Sequence, residues 1–280
     1  DNPQTKFNIK LKNNKPKIYQ VDNKNIIGTE HEDRFIINDI GQITEFGEPD
    51  ILYINNGQNK FSSIIVGESH FNYSDVNQNR KTYLDWGLSA MFGDLNNDGY
   101  PDLYVCNDFK TPDRIWFNNK DGTFRGLSKE KIPKMSYYSM GVDFTDINND
   151  GRLDIYVLDM MIADLKNRNL QISSNKSNYK WKDVYKSQYS QNTFLINHKN
   201  NYYYDCAITL KTHATDWSWC PLFLDINLDG HEDIIVTNGH LRNALNTDTL
   251  LKIEKERTRN KLLTKRQYNK LKEKFEVNNA

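Results

Sequence analysis

The apolar residues of this chain recur at alternate positions in short runs, and clusters of Asn, Asp and Gly separate the runs. Such alternation predicts half-buried β-strands, and the polar clusters predict tight turns between them. One strand–turn–strand pattern occurs three times, at residues 92–105, 144–157 and 223–236, and each copy reads D-x-N-x-D-G-x-x-D between two apolar stretches. We therefore expect an all-β chain that is built from internal repeats.

A second repeated pattern predicts β-hairpins. Residues 49–61 and 112–124 share Pro-Asp, alternating apolar residues, Asn-Asn and a later Phe, and residues 192–203 form a weaker copy. The acidic loops begin at residues 94, 146 and 225, which are 52 and 79 residues apart. The second spacing is 27 residues longer than the first, and the distance from an acidic loop to the hairpin after it also grows by 27 residues from the first copy to the second. A unit of about 52 residues therefore carries a polar insertion between Val157 and Gln191.

About four strands in each unit of roughly 50 residues predict the blades of a β-propeller, with a stacked solenoid as the alternative. We expect a partial ring of about three to four blades over residues 1–240, with the insertion at about 160–190. Residues 241–280 are charged and predict an exposed helical segment, either an insertion before further blades or a terminus. Because propellers usually have four to eight blades, we expect a piece of a longer protein.

The three acidic loops have the chemistry of a calcium site. Each supplies three carboxylates and one amide oxygen, with Gly at the sharp turn, and Ca²⁺ prefers such hard oxygen ligands. Mg²⁺ keeps more of its waters, and Zn²⁺ prefers His or Cys. The predicted ligands, with a backbone carbonyl at the seventh loop position, are Asp94, Asn96, Asp98, Tyr100 and Asp102; Asp146, Asn148, Asp150, Arg152 and Asp154; and Asp225, Asn227, Asp229, His231 and Asp233.

Two other interpretations of these loops can be weighed from the sequence. An EF-hand needs a bidentate Glu at position twelve, but Val105, Val157 and Val236 occupy that position, which excludes it. An Asx-rich turn without metal remains the alternative, although clustered carboxylates repel one another when no cation is bound. Extracellular calcium modules typically bind with Kd of about 10⁻⁴ to 10⁻³ M. We therefore expect about three structural Ca²⁺ sites in an exported protein.

Composition excludes two classes of partner. The 280 residues include 37 Lys plus Arg and 37 Asp plus Glu, so the formal net charge is zero. This balance provides no field to attract nucleic acid or an anionic membrane. With 37% hydrophobic residues, no stretch approaches the ~18 apolar residues of a spanning helix. We expect no nucleic-acid partner and no membrane span in this chain.

The three loops, each preceded by Phe and followed by a strand, resemble FG-GAP/VCBS repeats, the calcium-binding blades of integrin α-type propellers. The segments 99–109, 138–144 and 214–223 resemble bacterial relatives of cartilage acidic protein, which often carry an ASPIC/UnbV domain. The resemblance implies an exported or cell-surface bacterial module that is non-catalytic and serves recognition or adhesion through an unidentified protein or glycan. The alternative is a propeller-fold polysaccharide lyase or hydrolase, which would need His213 or His240 to face acidic or Arg side chains.

Overall fold

The computed structural model describes residues 6–12, 15–29, 34–37, 43–72, 84–108, 111–165, 168, 188–239 and 255. Within these ranges the chain forms twenty strands and two 3-10 turns, Lys129–Lys131 and Lys199–Asn201. The strands are β1 (Phe7–Lys12), β2 (Lys15–Val21), β3 (Lys24–Asn25), β4 (Phe35–Ile37), β5 (Ile43–Glu45), β6 (Ile51–Asn55), β7 (Phe61–Ile65), β8 (Phe71–Asn72), β9 (Gly87–Gly93), β10 (Asp102–Asn107), β11 (Arg114–Asn118), β12 (Phe124–Gly126), β13 (Met135–Ser136), β14 (Gly141–Thr145), β15 (Asp154–Leu158), β16 (Gln188–Tyr189), β17 (Thr193–His198), β18 (Tyr202–Asp205), β19 (Ser218–Leu224) and β20 (Asp233–Asn238). The all-β prediction is confirmed.

Strands β9–β12 and the four-stranded sheet form the same antiparallel meander, and the last sheet has its first two strands. The five-stranded sheet has the order β8-β12-β11-β10-β9, the four-stranded sheet β14-β15-β17-β18, and the last sheet pairs β19 with β20. The first strand of the four-stranded sheet, β14, contacts both β9 and β19, so the first strands of the three sheets lie side by side. This is the blade arrangement of a β-propeller-type fold. The described strands form no closed barrel.

The first strands approach one another closely because glycine occupies the point of contact. A Cβ added to Gly141 would lie 2.4 Å from the carbonyl oxygen of Trp219, and one added to Gly93 would lie 2.7 Å from the Phe144 ring. A side chain at either position would force neighbouring sheets apart. Gly141 and Gly93 therefore set the spacing of the first strands.

The insertion leaves the pairing of the sheets unchanged. Tyr104 pairs with Ile115 in the five-stranded sheet, and the corresponding Tyr156 pairs with Phe194 in the four-stranded sheet. Both pairs have the same register, although 27 more residues separate the second pair in sequence. Most of the insertion predicted at 160–190, and all but one residue of the helical segment predicted at 241–280, lie outside the described residues.

The hydrophobic core lies between neighbouring sheets, and each central strand contributes to two clusters. On β10, Tyr104 and Cys106 face the four-stranded sheet, whereas Leu103 and Val105 face the β6–β7 hairpin. On β15, Ile155 and Val157 face back toward β10, whereas Tyr156 and Leu158 face the β19–β20 sheet. Burial on both faces explains the nearly continuous apolar sequence of these strands.

The N-terminal region adds strands for which the sequence analysis predicted no elements. Residues 6–25 form the sheet β1-β2-β3, and β4 pairs with β5. The alternation of apolar and polar residues in Phe7–Lys12 was the available signal. Among the described residues, no helix has the length and apolar character needed to cross a membrane.

Candidate metal centres

Each acidic loop joins the first two strands of a sheet, and the three loops share one hydrogen-bond scheme. The carboxylate at the first position accepts from the backbone amides of the fifth and sixth positions, which folds the loop around it. The donors are Asp98 (2.9 Å) and Gly99 (2.8 Å) for Asp94, Asp150 (2.8 Å) and Gly151 (2.6 Å) for Asp146, and Asp229 (3.1 Å) and Gly230 (2.8 Å) for Asp225. These side-chain-to-backbone bonds, four and five residues along the chain, explain why Asp begins every copy.

The middle of each loop is held in the same way. The fifth-position carboxylate accepts from the amide at position seven: Asp98 from Tyr100 (3.0 Å), Asp150 from Arg152 (3.1 Å) and Asp229 from His231 (2.9 Å). The sixth-position glycines have φ of 84°, 82° and 85°, which L-residues rarely adopt. The loop backbone is thus the same in all three copies.

The third loop carries a strained residue at its fourth position. This position has positive φ in every loop, with Asn97 at 58°, Asn149 at 56° and Leu228 at 60°. Asn tolerates this conformation, whereas a Leu residue in it is strained, and Leu228 is also 86% exposed.

We expect Leu228→Asn to raise the free energy of unfolding by about 1 kcal/mol, measured by denaturant titration. The reverse change Asn149→Leu is the matched control and should lower it by a similar amount; an unchanged midpoint in both would contradict the strain.

The ninth-position carboxylates connect the loop to the next hairpin. Asp102 and Asp154 are 0% exposed, and each accepts from a loop amide and from the amide of an Asn on the third strand. The donors are Leu95 (3.0 Å) and Asn118 (2.8 Å) for Asp102, and Ile147 (3.2 Å) and Asn197 (2.7 Å) for Asp154. The sequence analysis assigned these carboxylates to metal alone and missed their connection to β11 and β17.

The acidic side chains of a loop act on one another electrostatically. The pKa of Asp102 is raised to about 6, mainly by burial, with the charges of Asp98 and Asp94 adding to the effect and the hydrogen bonds from Asn118 and Leu95 opposing it. Burial likewise raises the pKa of Asp154 to about 6, with Asp150 and Asp146 adding to the effect. A cation bound among these groups would offset the repulsion.

In the first two loops a basic side chain lies beside the fifth-position carboxylate, and the first loop also has a buried side-chain oxygen without a hydrogen-bond partner. Lys120 lies 3.5 Å from a carboxylate oxygen of Asp98, and Arg152 forms an ion pair with Asp150. The Asn96 side-chain oxygen is buried without a hydrogen-bond partner. Because a buried acceptor without a partner is costly, this oxygen fits the role of a cation ligand.

The structure places the predicted ligand positions of each loop on one turn, but their side chains do not converge as an ion would require. Among the described residues, no group of three or more His, Cys, Asp and Glu side chains is close enough to hold a metal ion. The carboxylates are instead directed at backbone amides. An ionised carboxylate has about four lone-pair positions, so these bonds leave room for further ligation. The fifteen predicted ligands therefore stay predictions.

The residues named for the enzyme alternative do not assemble a catalytic group in the described part of the chain. The ring Nδ1 of His213 is buried, and it has no hydrogen-bond partner among the described residues. His240 lies outside the described residues.

Comparison with known protein families gives one match, which covers two acidic loops and the hairpin between them. Residues 94–157 match the model of the FG-GAP-like repeat. The chain contains an FG-GAP-like repeat. This repeat includes β10–β12 and β14–β15, and its presence together with the meander sheets indicates a β-propeller-type repeat module. No curated protein matches the chain.

Proposed function

We propose that this chain is a calcium-binding, β-propeller-type module whose acidic loops hold Ca²⁺ for structural stability. The observation that carries the proposal is the hydrogen-bond scheme shared by the three loops, which keeps three carboxylates and one amide oxygen on each turn. Oxygen-rich ligand sets of this kind suit Ca²⁺ better than Mg²⁺ or Zn²⁺.

The position of the loops indicates what a bound ion would do. Each loop joins the first and second strands of its sheet, and its ninth-position Asp also reaches the third strand in the first two copies. An ion that ligates this carboxylate would offset the repulsion within the loop and hold three strands together. Sites of this kind stabilise a rigid sheet, so Ca²⁺ here acts structurally and does not drive a conformational switch.

We further propose that the module belongs to an exported or cell-surface protein and is not an enzyme. Calcium modules outside cells bind with Kd of about 10⁻⁴ to 10⁻³ M, a range that extracellular Ca²⁺ fills. The supporting feature is the FG-GAP-like repeat. Its partner would be a protein or glycan that contacts the loops, because loops vary freely on a rigid propeller scaffold.

The first experiment is thermal unfolding in EDTA and in Ca²⁺ from micromolar to 10 mM. For sites with Kd of about 10⁻⁴ to 10⁻³ M, 10 mM Ca²⁺ should stabilise the fold by about 1–3 kcal/mol per site. We therefore expect the midpoint to rise by several degrees, with the half-effect near millimolar Ca²⁺. Equal concentrations of Mg²⁺ are the control and should have little effect.

A variant separates specific binding from a general effect of salt. Asp225→Asn removes the first carboxylate of the most exposed loop and keeps one oxygen that can accept from Gly230, while water can replace the bond from Asp229. It should reduce the calcium-dependent rise and lower the midpoint in EDTA only slightly. A midpoint that does not respond to Ca²⁺ would contradict the metal assignment and the export argument that depends on it.

A further inference from the structure

A fully buried carboxyl group joins the five-stranded sheet to the four-stranded sheet. Asp113 is 0% exposed and lies immediately before β11. Its carboxyl accepts from the hydroxyl of Tyr104 (2.6 Å) and the amide of Asn107 (2.8 Å), both on its own sheet. It also accepts from the hydroxyl of Ser139 (2.8 Å), which precedes β14 of the neighbouring sheet. One ionisable group therefore connects two blades.

The next repeat makes the same connection with a neutral amide. Asn192 occupies the position 79 residues after Asp113. Its side-chain oxygen accepts from the amide of Asp159 (2.7 Å), which corresponds to that of Asn107. Its side-chain nitrogen donates to the hydroxyls of Tyr156 (3.1 Å) and Thr215 (2.7 Å), and Thr215 precedes β19. The contacts between sheets thus do not require a charge at this position.

The surroundings of Asp113 do not neutralise a negative charge. The titratable groups that act with it are Tyr104 and Cys106 on β10 and Asp159 at the end of β15. The neighbouring cation, Arg114, is ion-paired with Asp85. Asp159 is itself buried, and its carboxylate accepts from the Ser136 hydroxyl at 2.6 Å and from the amides of Tyr137 (3.1 Å) and Tyr138 (3.0 Å).

These surroundings place the titration of Asp113 near neutrality. Burial raises the pKa of Asp113 to about 7 and the charge of Asp159 contributes, although the three hydrogen bonds act in the opposite direction. In the unfolded chain an Asp titrates near pH 4. The folded protein therefore binds an extra proton between these two values, and its stability falls as pH rises from about 4 to about 7.

We propose that Asp113 is a proton-controlled latch between the two sheets, which holds them more tightly when protonated and loosens as the group acquires charge. A protonated carboxyl can donate to the Tyr104 or Ser139 hydroxyl, as the Asn192 amide donates to Tyr156 and Thr215. The latch contacts Ser139, just before the N-terminal end of β14, whereas the acidic loop of that sheet follows the C-terminal end of β14. It therefore works independently of the calcium sites.

The test gives each of the two equivalent positions, 113 and 192, the residue that the other repeat has there. Asp113→Asn keeps the shape and hydrogen-bonding atoms that Asn192 uses. Thermal midpoints are measured from pH 5 to 8, once in EDTA and once in 10 mM Ca²⁺. We expect Asp113→Asn to raise the midpoint by at least about 3 °C at pH 8 and to lose much of this advantage at pH 5. Titratable groups common to both proteins cancel in this difference.

The reciprocal variant Asn192→Asp should create the same pH dependence between the next two sheets. Its midpoint should lie further below that of the unmodified protein at pH 8 than at pH 5. If one variant fails to fold, the other still tests the latch: in infrared difference spectra between pH 5 and 8, Asp113→Asn should lose the band of one buried protonated carboxyl and Asn192→Asp should gain one, relative to the unmodified protein. A difference between Asp113→Asn and the unmodified protein that does not change with pH, or a midpoint that Asp113→Asn lowers at pH 8, would overturn the latch.

Discussion

Replacing Asp154 by Ala should destabilise the protein by about 3 kcal/mol in EDTA, when no calcium can contribute. The carboxylate is 0% exposed and accepts from the amides of Ile147 and Asn197. Alanine leaves both amides without an acceptor, and each buried unsatisfied donor costs about 1–3 kcal/mol. Alanine also removes the cost of burying this carboxylate, whose pKa burial raises, and this gain offsets part of the loss. The thermal midpoint should fall by roughly 6–12 °C.

Asp233→Ala is the matched control for this prediction. Asp233 holds the same loop position but is half-buried. Within the described part of the chain, its carboxylate accepts a hydrogen bond from one amide, that of the exposed Ile226 (3.2 Å). Water can replace that bond, so the loss in EDTA should be about 1 kcal/mol or less. In 10 mM Ca²⁺ each variant should lose about a third of the calcium-dependent rise, if three equal sites contribute. Equal losses of both variants in EDTA would contradict the structural role of Asp154.

The repeats were predictable because the loops and strands depend on local sequence. The first-position Asp accepts from the amide of the sixth-position Gly, which has a positive φ, so every copy shows both residues. The register of β15 against β17 also followed from spacing, since an insertion on the surface does not change which residues pair. The sequence pattern therefore predicted the loops and the sheets they join.

Contacts between repeats were less predictable, because they depend on residues far apart in sequence. The Ser139 hydroxyl reaches Asp113, and the Phe223 amide reaches Asp143, through packing that no local pattern shows. A comparison of equivalent repeat positions was the available signal, since Asp113 and Asn192 occupy the same place. Burial of Asp113 could be inferred only after the sheets were packed together.

We expect Arg114→Leu to destabilise the protein by about 3–5 kcal/mol, because Arg114 balances two acidic side chains in the five-stranded sheet. Its guanidinium makes two hydrogen bonds to Asp85, at 2.8 and 3.1 Å, and both side chains are about 5% exposed. Removing one partner of such a buried pair typically costs this much. Burial raises the pKa of Asp50 to about 6, the nearby charge of Asp85 adds to the effect, and Arg114 opposes it. Without Arg114, two carboxyl groups would face each other.

Asp85→Asn should cost less, about 1–2 kcal/mol, because Asn keeps an acceptor for Arg114 and Asp50 remains as a counter-charge. The two variants should also differ in their response to pH. Loss of Arg114 removes the charge that lowers the folded-state pKa of Asp50, so its cost is largest above pH 7 and declines as pH falls toward 5. Asp85→Asn removes the other carboxyl group and should show a weaker dependence. Chemical denaturation at pH 5 and pH 8 measures both differences, and an equal cost for the two variants at pH 8 would show that Asp50 takes no part.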